Sequence, residues 1–101
     1  MNRKLIFEKI KLNEHILRKL GISSIGLFGS FVRDEQTENS DIDLLIDFKP
    51  EKENFDNFME VYDFLESLFK DHKVEIVTKN GLSEYIGPHI LKEVNYVDIG
   101  S

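Results

Sequence analysis

Residues 26–48, GLFGSFVRDEQTENSDIDLLIDF, are the stretch that decides the fold. An apolar run ends there at a glycine–serine pair, and after a polar loop a second run opens with aspartates. Because a strand sends successive side chains to opposite faces, Asp41 and Asp43 share one face of the second run. The other face is apolar, consisting of Ile42, Leu44, Ile46 and Phe48. We therefore expect a half-buried strand over residues 41–48.

The paired aspartates suggest a cation site. Two carboxylates on one strand face repel each other, and each resists ionising unless a cation lies between them. Mg²⁺ takes oxygen ligands and is typically held by one or two carboxylates together with substrate phosphates. Alternatively, Ser40 and Asp41 cap a turn and Asp43 is a solvent-facing strand residue. An Asp-x-Asp pattern on its own favours this second interpretation.

The segment before the aspartates changes that balance. Residues 23–28 form a short apolar run that predicts a strand, and Gly29-Ser30 predicts a tight turn into a short helix over 30–34. The free N–H groups at such a helix start, with the serine hydroxyl, form a phosphate site. Arg33 is suited either to stabilise phosphate charge or to pair with a nearby acid. A Gly-Ser pair at this distance from Asp-x-Asp is far more specific than either motif alone.

Together these residues carry a family resemblance. Gly29-Ser30-Phe31-Val32-Arg33 followed by Ser40-Asp41-Ile42-Asp43-Leu44 resembles the signature of the nucleotidyltransferase superfamily that includes DNA polymerase beta. The match is to its smallest form, the minimal nucleotidyltransferase domain, and it runs through almost the whole chain. Many members are similar to antitoxins encoded beside a small helical toxin of the HEPN kind, and some transfer AMP from ATP to a toxin tyrosine.

The resemblance also implies roles for individual residues. It implies an Mg²⁺-dependent transferase that uses ATP, with two metal ions, and a HEPN-type toxin as partner. The residues implied for catalysis and metal binding are Asp41, Asp43 and Glu75, and those implied for nucleotide binding are Gly29, Ser30 and Arg33.

Two positions depart from the family pattern. Glu75 stands where the family usually has aspartate, and its longer side chain would shift a metal or a base; it could equally be a solvated strand residue. Asp34 stands where glycine usually follows the arginine, which would alter the path of the loop or add a charge near the phosphates. Both departures put the activity of the site in question.

Composition sets the limits of these expectations. The 101 residues suit a single domain covering the whole chain, and there is no cysteine for a disulfide or zinc–thiolate site. No apolar stretch is long enough for a membrane span, so we expect a cytoplasmic protein without membrane contact. The net charge of −6 argues against binding double-stranded nucleic acid, which requires basic surface. Self-association is left open.

The rest of the chain predicts an α/β (α+β) fold in the order α-β-α-β-α-β-α. We expect a mixed sheet of three to four strands with helices packed mainly on one face. A crossover helix between the second and third strands makes them parallel neighbours, which would place Glu75 beside the aspartates. The further elements are a helix over 3–20 ended by Gly21, a helix from Asn54 or Asp56 through 70, a strand over 73–78, a helix from Pro88, and an edge strand or tail over 96–99.

The sequence supports more than one function. The first is transfer of AMP from ATP to a hydroxyl, expected to be a tyrosine, of a partner toxin. The alternative is a binding module, an antitoxin with a weakened site that neutralises its partner by complex formation. A third is transfer to a small molecule such as an aminoglycoside, although so short a domain has little surface to enclose one.

Overall fold

The computed structural model describes residues 1–100 and contains four helices and four strands within that range. Short 3₁₀ turns lie at Pro50–Lys52 and Lys79–Gly81. The elements are α1 (Arg3–Leu12), α2 (Glu14–Lys19), β1 (Ile22–Phe28), β2 (Ile42–Phe48), α3 (Phe55–Leu68), β3 (Val74–Thr78), α4 (Gly87–Glu93) and β4 (Asn95–Val97).

The four strands form one mixed sheet in the order β3-β2-β1-β4. β1 pairs antiparallel with β2 and with β4, whereas β2 and β3 are parallel. β2 and β3 are parallel because α3 carries the chain back to the end of the sheet where β2 begins. The α+β class, the mixed sheet and the parallel neighbours are confirmed, and the C-terminal segment does form an edge strand.

The helices lie mainly on one face of the sheet, as predicted. α1, α2 and α3 pack there against the alternating apolar residues of β1 and β2, with Ile6, Leu17 and Val61 fully buried. The short α4 packs on the opposite face, where Ile90 forms a second buried cluster with Phe28 and Leu45. The main core therefore holds the strands rigidly from one side, and the other side remains only partly covered.

The predicted single helix over residues 3–20 is wrong in one respect, because it breaks at Asn13 into α1 and α2. The Asn13 side chain donates to the Lys9 carbonyl at 2.7 Å, and its own N–H bonds the Ile10 carbonyl. Such local side-chain bonds compete with the helical pattern. The predicted stop at Gly21 is confirmed, since α2 ends just before it with Gly21 at φ 97°.

The predicted helix over residues 30–34 is absent, which corrects the expected element order. The segment is a hydrogen-bonded turn in which the N–H groups of Val32 and Arg33 both donate to the Gly29 carbonyl. Asp34 then takes a left-handed backbone with φ 55°, which stops the helix after one turn. The family's usual glycine at this position is explained by that backbone, and aspartate tolerates it.

Several large apolar residues of the helices lie outside the core. Leu5, Ile16, Phe55 and Leu91 are all exposed. Of the two predicted starts of α3, the structure has Asn54, which caps the helix by accepting from the Asn57 N–H at 2.8 Å. Among the helices within residues 1–100, none has the length and apolar character needed to span a bilayer.

Candidate active site

The centre of the candidate site is Asp43 on β2, one of the two central strands of the sheet. Asp43 is the cross-strand partner of Phe28 on β1 and of Glu75 on β3. Directly paired residues of adjacent strands share a face, so the two carboxylates lie side by side. The predicted approach of Glu75 to the aspartate strand is thus confirmed. This face is the one that α1, α2 and α3 leave uncovered.

Gly29 brings the turn after β1 against this carboxylate. Its φ is +80°, and a Cβ at this position would overlap the Asp43 carboxylate. Only glycine satisfies both the left-handed backbone and the close approach. The sequence placed Gly29 in a phosphate-binding turn, and the structure adds that this turn contacts the acidic strand directly.

The environment of Asp43 disfavours its negative charge. Partial burial is the main cause, followed by the negative charges of Glu75 and Asp41, and together they raise the pKa of Asp43 to about 6. Arg33 opposes this shift with its positive charge. A carboxylate held in this way gains stability when a cation binds beside it.

Asp41 lies just before β2, is partly buried, and adds negative charge near Asp43 without lining the same cavity. Within residues 1–100, no three acidic or histidine side chains are spaced as a complete metal cage. The donors nevertheless fit Mg²⁺, which takes one or two carboxylates and completes its shell with water and phosphate. Metal binding by Asp41, Asp43 and Glu75 stays a prediction.

The turn beginning at Ser30 offers unpaired donors. Among residues 1–100, the N–H groups of Ser30 and Phe31 and the Ser30 hydroxyl have no hydrogen-bond partner. Ser30 itself is partly exposed. Convergent free N–H groups with a hydroxyl are suited to bind an anion. The turn therefore retains the donors expected of a phosphate site even though it forms no helix.

Arg33 lies beside this turn in a network of acidic residues. Its Nη1 donates to Glu93 at 2.9 Å and its Nε donates to Glu35 at 3.0 Å. Hydrogen bonding and the charge of Glu93 raise the pKa of Arg33 above its ordinary value. Of the two roles predicted for Arg33, the structure shows the pairing with acids, and the role in phosphate binding stays a prediction.

A cavity of about 310 Å³ opens beside the two strand carboxylates. Asp43 and Glu75 form its polar side. The remaining wall is largely apolar and comes from β1, β3, the following loop and α4, with Phe28, Val77, Leu82, Ile86 and Ile90 as its apolar side chains. The arrangement can hold a flat ring next to a charged reaction centre.

Two parts of the site were missed by sequence reasoning. The first is the apolar wall from Leu82 to Ile90, which looked like ordinary core spacing. The second is Glu93, whose carboxylate accepts the Gly29 N–H at 2.6 Å. A signal for Glu93 was present, since an acidic residue at the end of a helix is unfavourable for the helix dipole and requires a compensating contact.

Comparison with known proteins gives a consistent result. Residues 9–97 match the family described as Nucleotidyltransferase domain. The protein adenylyltransferase MntA of Thermococcus cleftensis is 38% identical over 84 residues, which is 83% of each chain. A solved structure provisionally described as a minimal nucleotidyltransferase superposes with a TM-score of 0.79 at 25% identity, covering 94% of this chain and 95% of the other.

A second solved structure is a toxin–antitoxin determined with AMP-PNP. It superposes with a TM-score of 0.66 at 25% identity, covering 88% of this chain and 71% of that one.

Proposed function

The chain belongs to the nucleotidyltransferase family, in its minimal form, and from that membership we propose that it transfers AMP from ATP to a hydroxyl of a partner toxin. The acceptor we propose is a tyrosine of a HEPN-type toxin, which the protein inactivates as an antitoxin. The observation that carries the proposal is the pairing of Asp43 with Glu75 directly beside the Gly29-Ser30 turn. Carboxylates and anion-binding donors meet there within one small site.

The proposed reaction is a displacement at the α-phosphorus of ATP. The acceptor oxygen forms a new bond to that phosphorus, the bond to the β-phosphate oxygen breaks, and pyrophosphate leaves. The acceptor proton passes to a carboxylate, for which Glu75 at the exposed end of the pair is our candidate. Ser30 and Arg33 hold the outer phosphates through their N–H, hydroxyl and guanidinium donors.

Asp41 and Asp43 would hold Mg²⁺, and Glu75 would either be a ligand of a second ion or act as the base. The bound metal supplies charge neutralisation of the triphosphate and lowers the pKa of the attacking hydroxyl. The chain's own contribution is to position these groups. β2 and β3 hold the carboxylates side by side, and Gly29 allows the turn to approach the Asp43 carboxylate to contact distance. Most of the rate enhancement would come from this positioning.

A protein acceptor fits the surface around the cavity. Tyr85 and Ile86 are 85% and 60% exposed beside the apolar wall, so the cavity mouth is bordered by large uncovered side chains. Exposed apolar groups next to a pocket are typical of protein contact sites. The relatives support this choice, since one is named a protein adenylyltransferase and one structure is a toxin–antitoxin.

The test is incubation of the purified protein with labelled ATP, Mg²⁺ and the protein encoded beside it. Wild type should label the partner, and the double variant Asp41→Asn with Asp43→Asn should not. Asp47→Asn is the matched control, because it removes a charge from the same strand and Asp47 lies outside the cavity lining. Labelling that persists in the double variant would reject these assignments.

The binding module remains a second candidate because Glu75 replaces the usual aspartate and is exposed. The two functions differ in the mass of a co-expressed partner. A gain of one or more AMP units supports the transferase. An inhibited partner of unchanged mass supports neutralisation by complex formation.

A further inference from the structure

Glu93, the last residue of α4, contacts both ends of the turn formed by residues 29–33. Its Oε2 accepts the Gly29 N–H at 2.6 Å, and its two oxygens lie 2.9 and 3.2 Å from Nη1 of Arg33. The Glu93 carboxylate therefore connects Gly29 with Arg33, the first and last residues of this turn, which we call the phosphate turn. The Glu93 side chain is only 28% exposed, so these contacts are partly shielded from water.

The place of Glu93 in its own helix is unfavourable. Negative charge at a helix C-terminus opposes the helix dipole, and Glu93 ends α4. Residues that break a local rule are retained where another contact compensates. Here the compensation comes from the charge-assisted bonds to Gly29 and Arg33, which are stronger than neutral ones.

The inner donor of the turn is paired, whereas its outer donors are not. Gly29 is buried and its N–H is taken by Glu93, whereas Ser30 is partly exposed and its donors are unpaired among residues 1–100. A buried N–H without a partner would be costly, so Glu93 satisfies the inner end of the turn. The outer end stays available for an anion.

We propose that Glu93 is a positioning residue: it anchors the Gly29 N–H and orients Arg33, so that the Ser30 donors and the remaining arginine N–H groups face the triphosphate. This inference rests on the proposed nucleotide site and assigns a role to a helix outside the Gly-Ser and Asp-x-Asp motifs. It makes α4 part of the phosphate site. Glu93 itself does not contact the phosphates.

A competing effect of the Glu93 charge would change the affinity for an anion in the opposite direction. Removing a negative charge near an anion site should strengthen anion binding, if the carboxylate competes with phosphate for the same donors. Glu93 is already neutralised by Arg33 and by the Gly29 N–H, which weakens that repulsion. We therefore expect the loss of positioning to dominate.

Glu35 provides the matched control. It also pairs with Arg33, at 3.0 Å, but it contacts no N–H of the turn and is more exposed. Glu35→Gln and Glu93→Gln thus remove the same charge from the same arginine. Only the second weakens the anchor on Gly29.

The experiment measures binding of inorganic triphosphate with Mg²⁺ by calorimetry. Glu93→Gln should weaken binding about threefold and Glu93→Ala about tenfold, because the first keeps a weaker acceptor and the second keeps none. Glu35→Gln should bind at least as well as wild type. Inorganic triphosphate removes any dependence on the acceptor, so failure to modify a partner leaves this test interpretable.

A second readout follows the Gly29 amide by NMR in the metal-free protein. Its proton should resonate far downfield in wild type and move upfield in Glu93→Gln, since a bond to a carboxylate is stronger than one to an amide. Glu35→Gln should leave this resonance in place. The near-isosteric Glu93→Gln decides the question if Glu93→Ala does not fold.

Three results would overturn the proposal. Tighter or unchanged triphosphate binding by Glu93→Gln would show that the carboxylate competes with phosphate or has no part in its binding. Equal weakening by Glu35→Gln and Glu93→Gln would assign the effect to the arginine pairs alone. A Gly29 resonance that is the same in wild type and Glu93→Gln would likewise contradict the anchor.

Discussion

At the scale of single residues, the site depends on a few contacts between backbone and carboxylates. Gly29 lies against Asp43, and the Glu93 carboxylate accepts the Gly29 N–H. The turn is therefore fixed between two acidic groups on different elements. Single substitutions at these positions should show, through their effect on stability, which interaction dominates.

Replacing Asp43 by Asn should stabilise the metal-free protein at neutral pH. Because the pKa of Asp43 rises from 3.8 to about 6 on folding, folding favours its protonated form. The resulting penalty is absent below about pH 4, develops between about pH 4 and 6, and is complete above that range. After allowance for the partial exposure of Asp43, the substitution Asp43→Asn should raise the free energy of unfolding by about 1 kcal/mol at pH 7 and by almost nothing at pH 4.

Urea unfolding with a chelator present, at both pH values, measures this difference. Asp47→Asn serves as the control, since it changes the same charge on β2 at the strand end away from Glu75. A stability gain of equal size at both pH values would show that the charge on Asp43 is not the cause.

Asp34→Gly should raise the stability of the fold. Asp34 adopts φ 55°, a left-handed backbone that costs a residue with a Cβ more than it costs glycine. We expect the free energy of unfolding to rise by up to about 1 kcal/mol for Asp34→Gly and to fall by about the same amount for Asp34→Ala, since alanine tolerates the left-handed backbone less well than aspartate does. Thermal unfolding of the three proteins checks the order, and an Asp34→Ala variant more stable than Asp34→Gly would contradict it.

At the scale of elements, the crossover helix α3 determines which strand lies beside Asp43. It returns the chain to the end of the sheet where β2 begins, so that β3 runs parallel to β2 and Glu75 pairs with Asp43. Val61 and Leu65 anchor α3 in the main core. The site is thus assembled by an element that contributes no residue to it.

Asn54→Ala tests how far α3 stability and site geometry are coupled. The Asn54 side chain caps α3 by accepting the Asn57 N–H at 2.8 Å, and loss of such a cap typically costs about 1 kcal/mol. We expect the midpoint of unfolding to fall and the affinity for Mg²⁺-triphosphate to stay unchanged. Asn39→Ala in the loop before β2 is a suitable control, since its side chain makes no hydrogen bond within residues 1–100. A loss of affinity in Asn54→Ala would indicate that α3 controls the site directly.

At the scale of the whole molecule, ligand binding should be coupled to global stability. The net charge of −6 and the adjacent carboxylates make the free protein self-repelling at its site. A ligand at a hundred times its dissociation constant stabilises the fold by about 2.7 kcal/mol, which corresponds to a Tm increase of about 10 °C or more in a domain of this size.

Mg²⁺ with AMP-PNP should therefore raise the Tm of wild type in proportion to the logarithm of concentration. The Asp41→Asn, Asp43→Asn double variant should show little increase, and AMP-PNP without Mg²⁺ should be less effective. Scanning calorimetry over a concentration series measures this. Equal shifts in the double variant and wild type would place the nucleotide away from β2.

The sequence by itself determined the elements with a strong periodic pattern and the motifs that lie within one segment. The alternation in β2 was sufficient to place Asp43 opposite the apolar face, and the crossover rule brought Glu75 beside it. The break at Asn13 and the turn at residues 30–34 were not predicted, because single side-chain bonds and one left-handed residue outweighed helical spacing there.

Only the tertiary structure decided what lies on the uncovered face of the sheet. Glu93 is 64 residues from Gly29 along the chain, so no local pattern could reveal their hydrogen bond. The pKa of Asp43 likewise depends on burial and on charges from another strand. Periodicity records which face of an element is apolar, whereas the meeting of polar groups from distant segments depends on how the chain packs.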